Sequence, residues 1–537
     1  MRPALRLLAA PATGALLAAA FPALDLGPLA LVALVPLLLV VETVRPRRAA
    51  ALGYLAGLTF FGLHLLWIAQ FLSWTGAVAW LAWGALSAVQ AIAFAAFFAL
   101  VPATRRLGWW RLLALPAAWA VLELLRAHHP IGGFPWGLLA LSQHDAGLLP
   151  LARVVGGFGL AAVIVAVNLA VAFWLRALWA GAQEGSRLRR LAPLVGLPVL
   201  VAGLLGARLA VPQAPAPSGP ALDVVVVQAG LRGGHGLEQG QTTEQVFDNH
   251  VRRTETLALT PGDRPDLVVW GEGAADADPL SNPDRRQQVA RAAGAAGAPI
   301  LLGATTRVDQ DHRATEGLLY TPEGQLADRY QKRRLVPFGE FVPLGSVLGR
   351  LIPATREGVP YDKVPGQRLE PLLIDGVPVG PLICWESAYP GDARQLTRDG
   401  AQVLLIMTNN ASFGTGAGPR QHLAAGQLRA VETGRTIVQA AVTGISAVIG
   451  PEGRTSSETG LYQDTVLRVQ AEPRSGTTPY VRYGRLLEAG LVGLAVGGLV
   501  LAGFLWWRRR AVAGRPVAAE APAPARWDVV PPVGRKS

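Results

Sequence analysis

The sequence predicts a multi-pass α-helical membrane domain of eight transmembrane helices joined to a soluble α/β domain, and three observations predict it. Hydrophobic residues make up 51% of the 537 positions and charged residues 16%, a balance typical of membrane proteins. Apolar stretches of about 17 residues or more, long enough to cross a hydrocarbon core of about 30 Å, recur through the first 211 positions. Between 221 and 484, short apolar runs then alternate with alanine-, arginine- and glutamine-rich stretches, which is α/β patterning.

The apolar spans fall near 4–21, 27–43, 50–73, 77–102, 109–125, 159–181, 191–211 and 485–507. The first carries Arg6 and Pro11 and resembles a signal peptide. A second apolar span follows it directly, so it reads as a helix. Arginine placement orients the set, because loops left in the cytoplasm collect positive charge. Arg2 precedes the first span, Arg45, Arg47 and Arg48 follow the second, Arg105 and Arg106 the fourth, and Arg187, Arg189 and Arg190 the sixth. The alternate loops at 22–27 and 73–76 have none, while the long fifth loop carries Arg126 and Arg153 near its ends. The N-terminus is therefore expected inside, and after seven crossings the chain emerges outside. Most of the formal charge of +12 is thus a topology signal, and no nucleic-acid partner is expected.

The domain plan that follows is a transmembrane domain of seven helices over 1–211, a proline-rich linker over 212–220, an extracytoplasmic α/β domain over 221–484, an eighth transmembrane helix over 485–507 and a cytoplasmic, disordered tail over 508–537. Both termini are expected in the cytoplasm. Strands are expected at Val224–Val227, Leu267–Trp270, Ile300–Gly303, Val377–Ile383, Val403–Met407 and Ile437–Val442, and helices at Arg285–Ala295 and Gln421–Glu432. Pro378 and Pro381 weaken the fourth strand, since proline cannot donate to a ladder.

Cys384, the only cysteine, stands where the apolar run Val377–Ile383 gives way to Trp385, Glu386 and Ser387. A single cysteine excludes internal disulfides. A lone free cysteine is more often a small buried hydrophobe than a nucleophile, so the neighbouring motifs decide. Glu272 follows the strand Leu267–Trp270 in VVWGEGAAD, Lys332 sits in RYQKRRLVPFGEFVP with Glu340 eight positions on, and Glu386 lies two positions after Cys384. Lysine occurs only at Lys332, Lys363 and Lys536 in an arginine-rich chain, so a retained lysine marks a need for an amine rather than for charge. Carboxylate, ammonium and thiol can supply base, oxyanion partner and nucleophile. Taken singly, Glu272 reads as a neighbour of a helix cap, Lys332 as a solvated charge and Glu340 as a partner for Arg333 or Arg334.

The order Glu, then Lys within YxKxxLVPFGE, then Cys within ICxE resembles the nitrilase superfamily, whose α-β-β-α sandwich carries a Glu-Lys-Cys triad. The flanking spans, Leu335–Glu340 (LVPFGE), Gly133–Gly137 (GFPWG) and the block containing Thr408, Asn409, Phe413, Gly414, Pro419, Gln421, His422, Arg429, Ala430, Glu432, Arg435, Gly444, Ile445 and Ser446 resemble its membrane-embedded branch, the apolipoprotein N-acyltransferases, over nearly the whole chain. There are departures. Asn410 stands where the family usually has Asp, Ser412 where it has Trp, Thr443 where it has Asn and Trp385 where it has Tyr, and Gly230 and Leu231 interrupt a usual loop motif.

The resemblance implies Glu272 as general base, Lys332 as stabiliser of the tetrahedral oxyanion and Cys384 as nucleophile, with Glu340 and Glu386 in support. It implies ping-pong transfer of an acyl chain from a phospholipid, through a Cys384 thioester, to the α-amine of the S-diacylglyceryl cysteine of a bacterial apolipoprotein. No cofactor and no metal are implied, and the chain is expected to act as a monomer in the bacterial inner membrane, with the lipid bilayer itself as a partner. Trp136, Phe338, Phe341, Trp385 and Phe413 are the expected substrate-binding residues, with Val342 beside them; core packing is the competing reading for these apolar side chains.

Two other readings compete. A membrane-tethered nitrilase-like amidase for a small amide would use the same triad, but a tether needs one span. A transporter with an inactive outer domain would place polar groups in the spans, for which Glu123, Gln90 and His64 are the candidates. His128, His129 and His144 match no metal-ligand spacing.

Overall fold

The computed structural model describes residues 3–183, 187–229, 243–257, 263–276, 278–345 and 359–513; the expected tail beyond 513 and the Gly230–Leu231 departure lie outside them. The N-terminal part is helical: α1 (Pro3–Ala19), α2 (Val35–Val41), α3 (Pro46–His64), α4 (Leu66–Phe71), α5 (Ala77–Ala103), α6 (Arg111–His128), α7 (Ala152–Gln183) and α8 (Arg187–Leu209). Among the described residues three helices are long and apolar enough to cross a membrane, Ala77–Ala103, Leu149–Trp179 and Pro479–Arg509. Of the other expected spans, the apolar helices at Arg6–Ala19 and Pro198–Leu209 are shorter, and two are broken. The one near 27–43 is divided into a 3-10 turn at Gly27–Leu31 and α2, and the one near 50–73 breaks at Leu65, whose ψ of 15° ends α3 before α4 begins.

Close helix contact in this part rests on small residues. A Cβ at Gly53 would lie 2.7 Å from the Phe94 carbonyl oxygen, and one at Gly57 2.8 Å from the Phe94 side chain, so α3 and α5 approach through glycine in the manner of membrane helices.

The soluble part contains β1 (Leu222–Ala229), α9 (Thr243–Glu255), β2 (Leu267–Trp270), α10 (Pro283–Ala296), β3 (Ile300–Arg307), β4 (His312–Tyr320), β5 (Leu326–Gln331), β6 (Asp362–Lys363), β7 (Leu372–Ile374), β8 (Val377–Ile383), α11 (Pro390–Arg398), β9 (Val403–Thr408), α12 (Gly418–Thr433), β10 (Thr436–Ala441), β11 (Ala447–Ile449), β12 (Thr455–Glu458) and β13 (Asp464–Ala471), and α13 (Pro479–Ala513) follows. One sheet runs β13-β1-β2-β3-β4-β5, with β6 on β4, and the other β12-β11-β10-β9-β8-β7.

Strand periodicity builds the layers. On β1, Val224 and Val226 join Leu405, Met407 and Val438 in a core between the two sheets, while Val225 and Val227 pack with Phe247 and Val289 under α9 and α10. On β9, Leu404 and Ile406 turn the other way, toward Ala393, Leu396 and Leu423 of α11 and α12. The result is an α-β-β-α sandwich. Helix ends obey local rules: Asn282 accepts from Asp284 N and Arg285 N ahead of α10, and Gly297 closes it at φ 60°.

Both prolines of β8 fall where that strand has a partner on one side only. Pro378 pairs with Leu373 of β7 before the β9 pairing begins at Val379, and Pro381 pairs with Leu405 of β9 after β7 has ended. An edge tolerates a missing N–H, so the strand forms where it is expected.

The sandwich and the helical part share one core. Trp385, Ala388, Tyr389, Phe413 and Leu428 pack in the same apolar cluster as Trp67, Trp119 and Trp136. Helix α12 is buried along its length, and the Glu432 carboxylate accepts from Gly157 N of α7 at 2.7 Å.

Candidate active site

The site forms where β2, β5 and β8 end together. Glu272 lies just after β2, and the chain there is held by close backbone approach: a Cβ at Gly271 would lie 2.6 Å from Thr408 O, and one at Gly303 2.6 Å from Glu272 Cα. Lys332 follows β5. Its ammonium, with the side chain 1% exposed, lies 2.8 Å from Glu272 Oε1 and 3.0 Å from Glu340 Oε2. Cys384 follows β8 with φ of 50°, a left-handed conformation that costs a residue bearing a Cβ about 1–2 kcal/mol and projects the side chain out of the strand line. Its thiol is within hydrogen-bonding reach of Glu272 and Thr408.

Electrostatics follow from this packing. Burial alone would lower the Lys332 ammonium, but Glu272 and Glu340 more than offset it and hold it well above its usual range. Burial raises Glu340, yet Lys332 and Lys363 together bring it down to about 2. Part of the surface of Cys384 remains accessible, while the sulfur itself is enclosed; that enclosure, and then the charge of Glu272, push the thiol up to about 12 against the opposing pull of Lys332. The resting site is thus an ammonium between two carboxylates beside a neutral thiol.

Glu386 fixes the strand end. Its carboxylate accepts from Ile383 N at 2.7 Å, Arg333 N at 2.7 Å and the Tyr330 hydroxyl at 2.9 Å, tying the cysteine turn to the lysine loop. Burial nevertheless raises it to about 7. Beneath the turn, burial lowers His422 to about 4. The neutral ring lies with Nε2 2.8 Å from Ser387 Oγ and 3.0 Å from Cys384 O, and with Nδ1 3.0 Å from Oδ1 of Asn410, one of the departures from the family pattern.

An aromatic wall closes one side. Trp136 stacks on Trp385 with centroids 5.3 Å apart, and Phe413 meets Trp67 edge-on at 4.6 Å. Gln421 Oε1 accepts from Trp67 Nε1 at 3.0 Å and Trp136 Nε1 at 2.6 Å. The GFPWG loop is held by polar side chains from the helices: Arg126 donates to Trp136 O at 2.6 Å and Gly137 O at 3.2 Å, Gln90 accepts from Arg126 at 3.1 Å, and Glu123 accepts from Leu139 N at 2.8 Å. Of the polar groups that a transport path would use, Gln90 and Glu123 are engaged around this loop, and His64 Nδ1 lies 3.2 Å from Gln421 Nε2.

The expected residues Glu272, Lys332, Glu340, Cys384 and Glu386 come together, as do Trp136, Trp385 and Phe413. Phe338 does not join them. It is 45% exposed, Phe341 is partly buried, and neither makes a ring contact with the wall among the described residues. Glu340 pairs with Lys332 and Lys363 rather than with Arg333 or Arg334, which turn to Asp392 at 3.4 and 3.0 Å. Lys363 and Thr315, 2.7 Å apart beside Glu340, were not singled out as site residues, although the scarcity of lysine marks Lys363. Nothing in the sequence marks Trp67. His144 lies 2.7 Å from Asp25 Oδ1 and 2.9 Å from Gln427 Oε1.

Residues 13–170 match the family model described as apolipoprotein N-acyltransferase N-terminal domain, and residues 274–478 match that described as carbon-nitrogen hydrolase. Lys332, Glu340, Cys384 and Glu386 fall within the second match, and Glu272 lies just ahead of it. An apolipoprotein N-acyltransferase of Mycolicibacterium smegmatis is 34% identical over 85% of this chain and 78% of its own. One from Azotobacter vinelandii is 33% identical over 94% of this chain and 95% of its own. Among solved structures, an amidase from Nesterenkonia sp. is 18% identical, covering 49% of this chain and 94% of its own, with a TM-score of 0.36. The length and identity of the first two matches carry the conclusion: this chain belongs to the apolipoprotein N-acyltransferase family.

Proposed function

We propose that the chain moves a fatty acyl group from a phospholipid to the α-amine of an S-diacylglyceryl cysteine at the N-terminus of a bacterial lipoprotein, through a thioester on Cys384. The observation that carries the reading is the convergence of the Lys332 ammonium, 2.8 Å from Glu272 and 3.0 Å from Glu340, with the Cys384 thiol.

With the thiol protonated at rest, attack needs a base. Glu272 takes the Sγ proton as sulfur bonds to the ester carbonyl carbon, and the oxyanion that develops is stabilised by the Lys332 ammonium. The intermediate collapses by breaking the ester C–O bond, and the leaving alkoxide of the lysophospholipid takes the proton from Glu272. In the second half the amine attacks the thioester, Glu272 accepts its proton, the amide C–N bond forms and the C–S bond breaks. The proton then returns to sulfur. Glu340 holds Lys332 charged and in position, and Glu386 holds the Cys384 turn.

Both substrates are lipid-anchored, which favours a site roofed by Trp136 of the helical part over a soluble-amide pocket. Eight crossings, with 221–484 on the extracytoplasmic face of the inner membrane and both termini inside, fit the arginine asymmetry of the loops. The experiment is reconstitution: the chain in phospholipid vesicles should add an acyl group to a synthetic diacylated lipopeptide. Hydrolysis of small amides without lipopeptide acylation would replace this reading with the amidase.

A further inference from the structure

A cavity of about 570 Å³ has none of the residues of the Cys384 site on its wall. Its walls come from the start of α7, the end of α8, the chain after it at Gln213, and the sandwich loops at Glu452 and Arg474. Three arginines, Arg153, Arg208 and Arg474, face one carboxylate, Glu452. Arg153 is 2% exposed. Its terminal nitrogens donate to Pro212 O at 2.9 Å and Pro451 O at 2.8 Å and pair with Glu452 at 2.9 Å, but its Nε has no acceptor among the described residues. Arg474 donates to Pro215 O at 2.6 Å and pairs with Glu472, and among the described residues its Nε also lacks an acceptor. Arg208, in the last turn of α8, is exposed.

Three guanidinium groups against the two carboxylates Glu452 and Glu472 leave an excess of positive charge around a space of ligand size. The two orphaned Nε atoms have almost no accessible surface of their own, so it is the charge around the cavity that a ligand carrying negative charge would balance. The level of the cavity narrows the choice. Pro150 on its wall stands at the beginning of the apolar helix Leu149–Trp179, so the cavity opens where that helix would leave hydrocarbon, at headgroup height. We propose that this cavity binds the phosphate group of a phospholipid headgroup, as a site separate from the acyl-transfer site.

The test counts bound lipid on the full chain in detergent by native mass spectrometry, with Cys384→Ala so that no transfer consumes the probe. The probes are dioleoyl phosphatidylglycerol, dioleoylglycerol, which lacks phosphate, and inorganic phosphate. One phosphate-dependent lipid equivalent is expected, and Arg208→Glu should weaken it about tenfold or more, with Gln213→Glu, a milder charge change on the same wall, acting in the same direction. Displacement by millimolar phosphate would support the anion site with a free anion as its occupant. Equal retention of dioleoylglycerol, or unchanged retention in both variants, would overturn the proposal. In the chain that keeps Cys384, Arg208→Glu should leave the rate of thioester formation unchanged; a parallel loss would merge the cavity with the catalytic site and also overturn it.

Discussion

Trp136 of the helical part lies stacked on Trp385, the residue after the cysteine, with ring centroids 5.3 Å apart and planes 5° apart. The stack joins the two halves of the chain next to the Cys384 turn. An aromatic pair contributes about 0.5–1.5 kcal/mol beyond the area it buries, and Trp136 also donates to Gln421 at 2.6 Å. Trp136→Ala should therefore lower kcat/KM for acyl transfer by about tenfold or more, and Trp136→Phe should restore most of the loss. Unchanged kinetics in the alanine variant would reduce the stack to packing.

Lys332→Arg keeps the charge but replaces a compact ammonium, held between two carboxylates, with a planar fork. Turnover should fall by a factor on the order of 10² or more, the usual effect of losing one oxyanion donor. Activity near that of the unaltered chain would remove Lys332 from the chemistry.

The thiol gives a pH test whose sign differs between two readouts. Burial and the negative charge of Glu272 raise Cys384 to about 12, so thiolate absorbance near 240 nm should stay absent at neutral pH and rise only in strong alkali. Glu272→Gln removes the charge that opposes ionisation and leaves the Lys332 ammonium beside the sulfur, so the thiol should titrate at lower pH. Acyl transfer should nevertheless slow, because the base is gone. A variant in which the titration moves up, or in which transfer speeds up, would contradict the roles given to Glu272.

Topology is checked with reporters. One at residue 530 should report from the cytoplasm and one near residue 310 from outside, as an odd number of crossings between them requires. Both on one side would remove that arrangement.

Sequence alone reveals the strands that bear the site, because β2, β8 and β9 are continuous apolar runs bounded by turn residues. It is less informative about β4 and β5. Their sequences, HRATEGLLY and LADRYQ, mix polar and apolar residues without a clean period, since they form a hairpin at one side of the first sheet. Hydropathy likewise reads 50–73 as one span, whereas the break at Leu65 is a backbone event with no proline or glycine at that position. The Glu-Lys-Cys motif is legible from the family pattern. The contacts of Gln421 with Trp67, Trp136 and His64 are not, because they depend on how the sandwich docks on the helices. Phe338 stands apart: its place inside a specific motif marks it as a substrate-binding residue, and in the fold its φ of 62° accompanies 45% exposure, away from the ring contacts of Trp136, Trp385 and Phe413.

The most direct measurement is the intact mass of the purified chain after incubation with phospholipid in the absence of any lipopeptide. A two-step transfer through one nucleophile accumulates its covalent intermediate when the second substrate is withheld, and Cys384 is the only cysteine that can carry a thioester. The predicted result is a gain of one fatty acyl mass that hydroxylamine removes and that Cys384→Ala abolishes together with lipopeptide acylation. A Cys384→Ala chain that still acylates the lipopeptide at the normal rate would contradict the account.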